Sequence, residues 1–113
     1  MKIESYSFGS IMIDEESYTS DLIIFPGKID VSWWRKRSHK VEMEDIPELL
    51  EVEVDVIIFG TGAYGLMKID KKVIVHFTNR NIELIIEKTG QAVNTYNEIS
   101  ENKKVIAALH LTC

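Results

Sequence analysis

Apolar positions divide the chain into two halves with different periods. Across residues 3–14, aromatic and aliphatic residues stand on either side of Gly9-Ser10, the pattern of two short strands joined by a glycine turn. Ile11 and Ile13 then share one face. Residues 21–25 form a β-rich run, Pro26-Gly27 is a turn dipeptide, and residues 28–34 resume the alternation through Ile29, Val31 and Trp33. The first half predicts a β meander.

The second half changes period. Residues 35–40, RKRSHK, are the one local basic cluster, and an acidic stretch over 42–53 follows it. Pro47 within that stretch suits the first turn of a short helix near 46–52, because the amide it lacks has no intrahelical partner there. Residues 54–59 are a nearly continuous apolar run with β-branched members, which predicts a strand covered on both faces and ended by glycines. Residues 70–80 carry strand propensity, yet Val73, Ile74 and Phe77 fit one helical stripe. Asp70 as an N-cap and Asn81 as a left-handed C-terminal residue decide for helix. A strand over 82–87, an amphipathic helix over 89–102 with Ala92, Val93, Tyr96 and Ile99 on one face, and a buried strand over 105–111 complete the chain. Alternating strands and helices with short connections predict one compact α/β domain over residues 1–113. Its sheet is mixed and partly parallel, helices pack on it, and the β meander pairs at its edge or covers a face.

Composition changes this picture little. Hydrophobic residues are 45% and charged residues 27% of the 113, ordinary for a folded globular chain. A net charge of −5 argues against a general nucleic-acid binder, which needs a basic surface to displace counterions from phosphates. Cys113 is the only cysteine, so no intramolecular disulfide forms, which fits a reducing compartment and predicts a cytoplasmic protein. The opening MKIESYSFGS lacks a signal-peptide core, and no apolar run is long enough to cross a bilayer as a helix.

The stretch FGTGAYG sets Gly60, Gly62 and Gly65 at the spacing of a dinucleotide fingerprint. That site needs a helix starting at the later glycines, so that its amides meet the pyrophosphate. Here the cap falls at Asp70, so the sequence predicts a turn and no nucleotide cofactor. A smaller role stays open at this strand end, where the backbone amides and the Thr61 hydroxyl would hold a small anion.

Other chemistry is sparse. His39, His76, His110 and Cys113 match no zinc spacing, and Cys113 has no neighbouring base along the chain, so neither a metal site nor a nucleophile is predicted. Two alternatives stand for the basic cluster. If Arg35 and His39 lie over the Gly60-Thr61-Gly62 turn, they neutralise an anion held there. If they lie apart from it, Trp34, Arg35 and Arg37 form a surface for a protein partner, since Trp and Arg are enriched in interface hot spots. An edge strand of the β half offers pairing with a second copy of the chain. Asp14, Glu15 and Glu16, and likewise Glu42, Glu44 and Asp45, read as solvated faces. Tyr96 reads as core, and Asn97 as a residue that satisfies backbone groups.

Five stretches taken in order carry a resemblance: FGSIMIDEESYTSDLII, WWRKRSHKVE, IIFGTG, TGQAVNTYNEIS and the closing VIAALHLTC. Together they resemble the adipogenesis-associated domain family, which also contains mitochondrial complex I assembly factor three and many uncharacterised archaeal and bacterial proteins. The resemblance implies a three-layer α/β fold and no established catalytic activity. It also implies action through other proteins, in assembly or regulation. The family's motif positions fall on Trp34, Arg35, His39, Gly60, Thr61, Gly62, Tyr96 and Asn97, none a known catalytic residue. Unlike the mitochondrial members, the chain opens directly on the domain. The expectation is a non-enzymatic, protein-binding domain, with a small-anion or metabolite site at the glycine turn as the alternative.

Overall fold

A computed structural model describes residues 1–113. The chain runs β1 (Ile3–Ser7), β2 (Ser10–Ile13), β3 (Glu16–Tyr18), β4 (Leu22–Phe25), β5 (Lys28–Asp30), β6 (Lys40–Val41), β7 (Val56–Thr61), β8 (Lys68–Ile69), α1 (Lys71–Asn79), β9 (Glu83–Glu87), α2 (Thr89–Ile99) and β10 (Val105–His110). The main sheet has five strands in the order β5-β4-β10-β7-β9. Strands β10, β7 and β9 are parallel, while β4 and β5 extend the sheet antiparallel from β10. Between β7 and β9 the chain steps outward through α1, then returns across β7 through α2 to β10. Crossovers of one hand running in opposite directions place their helices on opposite faces, which gives three layers.

Strands β4, β7 and β10 are buried at every position because both faces are covered. On one face Ile3, Ile11 and Ile13 of the separate β1-β2-β3 sheet join Ala92, Val93 and Tyr96 of α2 over Leu22, Ile24, Ile58 and Leu109. On the other, Trp33, Ile46, Leu49, Val73 and Phe77 cover Ile23, Ile57, Phe59 and Ala108. The meander therefore both pairs at the edge and covers a face. No helix is long and apolar enough to cross a membrane.

Several local expectations need correction. The 46–52 segment forms no α-helix; two 3₁₀ turns, Met43–Asp45 and Pro47–Leu49, replace it. Ile46 leaves helical geometry between them (φ −134°, ψ 45°), and both Ile46 and Leu49 reach the core. Burial of those two side chains overrides local propensity. Strand β5 stops at Asp30, whose carboxylate reaches forward to accept the Ser32 amide at 3.1 Å in a local turn, with Val31 exposed and Trp33 inward. Gly60 does not end β7: it pairs within the strand with Leu109 and Glu87. Helix α1 does follow Asp70 and is followed by Asn81 at φ 61°, but Ile74 faces solvent. Helix α2 ends at Ile99 rather than 102.

Candidate functional site

The carboxyl ends of β7 and β10 lie side by side, with Thr61 opposite His110. The loop after β7 folds over the chain beyond β10. The Ala63 amide donates to the Thr112 carbonyl at 2.7 Å, the Leu66 amide to that of Cys113 at 3.3 Å, and the Met67 amide to that of Thr61 at 3.1 Å. Gly62 makes this crossing possible: its φ is +101°, and a Cβ there would stand 2.7 Å from the Thr112 carbonyl oxygen. Fully buried Thr89, the first residue of α2, joins both ends. Its Oγ1 accepts the Gly62 amide at 2.8 Å and donates to the His110 carbonyl at 2.6 Å. Thr61 Oγ1 donates to the Glu87 carbonyl at 3.1 Å. The amides of Gly62 and Ala63 and the Thr61 hydroxyl are thus engaged inside the protein. Strand β8 separates the glycine loop from α1, so no helix opens on the glycines.

Beside this seam sits a buried polar cluster. Asp21, just before β4, accepts the Leu111 amide at Oδ1 (2.8 Å) and Arg35 Nη2 at Oδ2 (2.8 Å). Oδ2 also meets His110 Nδ1 at 2.7 Å. Burial alone would raise the Asp21 pKa; hydrogen bonds from His110, the Leu111 amide and Arg35 outweigh it and hold the carboxyl below its ordinary value. An ionised carboxylate only accepts, so Nδ1 of His110 carries the proton that points at it. Arg35 Nη2 also donates to the Ser38 carbonyl at 2.8 Å, and the guanidinium lies 4.4 Å from the Trp33 ring centroid. Arg35 Nε and Nη1 and His110 Nε2 are buried and make no hydrogen bond within the protein. Tyr6 donates its hydroxyl to the Leu111 carbonyl, and burial followed by the nearby Asp21 charge raises its pKa.

The sequence-nominated residues separate into two groups. Arg35 turns inward, donating to Asp21 and Ser38 with Nη2 packed 3.2 Å from His110 Nδ1, and its hydrogen bonds do not reach the Gly60-Thr61-Gly62 turn. His39 does approach that turn, with Nε2 3.7 Å from Cys113 Sγ and its ring centroid 5.8 Å from that of His110. Trp34 projects outward at 76% exposed, and Arg37 is a surface residue 3.8 Å from Glu42. Surface concavities beside Val52–Asp55, Pro26, Trp34, Lys72 and Lys28 are not lined by Arg35, His39 or the glycine turn. Asp45 corrects the expectation of a solvated acidic face: it is buried, accepting the amides of Lys36 and Glu42.

Sequence reasoning missed Asp21 and His110, which have no local signal beyond an acid before one apolar strand and a histidine closing another. It also missed an exposed aromatic pair. Phe8, from the β1–β2 turn, and Tyr64, from the glycine loop, are 56% and 65% exposed, with ring centroids 6.0 Å apart. Leu66 lies two residues further along the same loop and is also exposed. These three apolar side chains crown the strand ends that the buried polar cluster supports.

Comparison with known proteins agrees with this architecture. A conserved hypothetical protein from Pyrococcus horikoshii OT3 is 28% identical, with a TM-score of 0.84 over 100% of both chains. A protein described as an outer membrane protein from Bartonella henselae is 25% identical, with a TM-score of 0.81 over 98% of this chain and 94% of its own. A Mth938-like domain of Bordetella pertussis, 17% identical, shares the fold at a TM-score of 0.69 over 97% and 85% of the two chains. The model of a protein family of unknown function, DUF498/DUF598, matches residues 3–110, and the chain therefore belongs to that family.

Proposed function

We propose that this chain is a non-enzymatic, protein-binding domain that docks its partner at the carboxyl ends of β7 and β10. The observation that supports this reading is the exposed trio Phe8, from the β1–β2 turn, with Tyr64 and Leu66, from a glycine loop whose Gly62, Ala63 and Leu66 amides are satisfied internally. Exposed aromatic side chains on a braced loop offer a large apolar area at low entropic cost, the usual make-up of an interface centre. Trp34, Arg35 and Arg37 support the same reading in different ways: Trp34 and Arg37 as surface contacts, Arg35 by bracing the loop between them from below. The finer resemblance, to the adipogenesis-associated domain family and complex I assembly factor three, favours an assembly or regulatory role, and the single cysteine, Cys113, fits a reducing compartment such as the cytoplasm. Native mass spectrometry of protein purified gently from its own cells tests this. A co-purifying protein should be retained by the wild type and released by Phe8→Ser/Tyr64→Ser at unchanged thermal stability. Retention by the variant would sink the proposal.

A second reading keeps the small anion or metabolite. It gains support from Arg35 Nε and Nη1 and His110 Nε2, buried polar atoms without a protein partner, and from His39 beside them. On this reading the ligand engages the cationic side of the Gly60-Thr61-Gly62 seam rather than its amides. A thermal shift on adding phosphate or sulfate, absent in His39→Ala, would favour it; no shift at millimolar anion would count against it.

A further inference from the structure

The fold brings three lysines from distant segments to the surroundings of the glycine loop. Strands β6 and β8 pair in parallel with Lys40 directly opposite Lys68. Opposite residues of a ladder point to the same side. Val41 and Ile69, the next pair, turn toward the core, so the two lysines share the outer side. Like charges placed directly opposite destabilise a ladder, and no lysine of this chain forms an ion pair within the protein. No ion pair within the protein offsets the repulsion of these two lysines.

The lysine pair adjoins the apolar trio. The Lys68 amide donates to the His39 carbonyl at 2.8 Å, His39 touches Cys113, and Cys113 receives the Leu66 amide. Lys88 packs against the same loop, its Cγ 3.3 Å from the position a Cβ on Gly65 would occupy. Of the nearby carboxylates, Glu87 accepts the Thr95 hydroxyl at 2.7 Å, Glu42 lies 3.8 Å from Arg37, and Asp70 stands at the start of α1, two residues beyond Lys68. A face with an apolar centre and a lysine rim thus sits on a chain whose net charge is −5. Charge of that sign, against the molecule's own total, sets the complement required of whatever covers it.

We infer that this face receives an extended acidic segment of a partner protein. An apolar side chain of the segment packs against Phe8, Tyr64 and Leu66, and its carboxylates lie over Lys40, Lys68 and Lys88. This rests on the protein-docking reading above and names the chemistry of the partner.

Carbodiimide coupling of the full chain in extracts of its own cells tests the inference, because that reagent joins lysine amines only to carboxylates in contact with them. Mass mapping is expected to find Lys40, Lys68 and Lys88 joined to aspartates or glutamates of one partner segment. A synthetic peptide of that segment should bind the wild type, and Lys40→Glu/Lys68→Glu should weaken it about tenfold or more, as like-charge juxtaposition does at an interface. Binding to the wild type should also weaken with added salt. Coupling confined to other lysines, a captured nucleic acid in place of a peptide, or equal affinity of the charge-reversed variant would overturn the inference. Loss of the partner in Phe8→Ser/Tyr64→Ser but not in Lys40→Glu/Lys68→Glu would leave the docking reading standing and remove only the acidic segment. Retention in both variants would remove both.

Discussion

Asp21 and His110 are separated by 89 residues and meet at 2.7 Å, carboxylate Oδ2 to imidazole Nδ1. The contact ties the entry of β4 to the exit of β10, and Arg35 completes it from a third segment. Because Arg35 is almost wholly buried, removing its counter-charge leaves a cation that water does not reach. Asp21→Asn should destabilise the fold by roughly 3 kcal/mol, in the range for breaking a buried pair from one side. Urea unfolding at neutral pH measures it, and a loss below about 1 kcal/mol would contradict the role given to this cluster.

The same carboxylate shapes the acid limb of stability. The folded-state pKa of Asp21 lies below its ordinary value of 3.8, so its contribution is fully present above that value and is lost as pH falls through the folded-state pKa. Wild-type protein should lose stability more steeply than Asp21→Asn as pH drops from about 5 toward 2. Parallel curves for the two proteins over that interval would show that another group governs acid unfolding.

Thr89 is a relay between the glycine turn and β10, taking one hydrogen bond and giving another from a fully buried hydroxyl. Thr89→Val keeps the shape and strands both the Gly62 amide and the His110 carbonyl. A loss of about 2–4 kcal/mol is expected, one to two desolvated polar groups' worth. Thr89→Ser, which retains the hydroxyl, should recover most of it in a denaturant titration.

The two glycines of the FGTG turn should respond differently to alanine. At Gly62 the new Cβ meets backbone, the Thr112 oxygen at 2.7 Å and Cys113 atoms at 2.9 Å, at a left-handed φ. At Gly60 the closest atom is Leu109 Cδ2 at 2.8 Å, on a side chain that can turn, although Thr89 Oγ1 follows at 2.9 Å. Gly62→Ala should therefore cost the more, upward of about 2 kcal/mol. A reversed order of melting temperatures would show that side-chain crowding outweighs backbone strain here.

The β2–β3 hairpin turns through Asp14 and Glu15, both at positive φ (48° and 70°) without a glycine. A two-residue turn with both φ positive favours Asn-Gly or Asp-Gly. Glu15→Gly should stabilise the protein by about 0.5–1 kcal/mol by relieving left-handed strain, set against the greater chain entropy of glycine. A drop in melting temperature would assign Glu15 a role in the fold that its exposed side chain does not suggest.

The elements were legible where a period or a cap recorded them. Val73 and Phe77 with Asp70 and Asn81 defined α1, the apolar run before Gly60 defined β7, and Asn97 was expected to satisfy backbone groups. It does so by clasping both the amide and the carbonyl of Ile3. The 46–52 segment misled because Ile46 and Leu49 answer to the core rather than to helix propensity. Five ordered stretches also pointed to a family of three-layer α/β domains.

The site was not legible, for a physical reason. A sequence by itself determines what is local: periodicity, capping, turn chemistry, total charge, and hence that this chain builds a mixed α/β sheet with a β meander. Which polar side chains meet is fixed by strand order, and order β5-β4-β10-β7-β9 brings Asp21 to His110 and Thr61 to His110 across long stretches of chain. The pairing of β6 with β8 likewise sets Lys40 against Lys68. An acidic total could not reveal that lysine face, because net charge sums over the molecule while a partner meets one side of it.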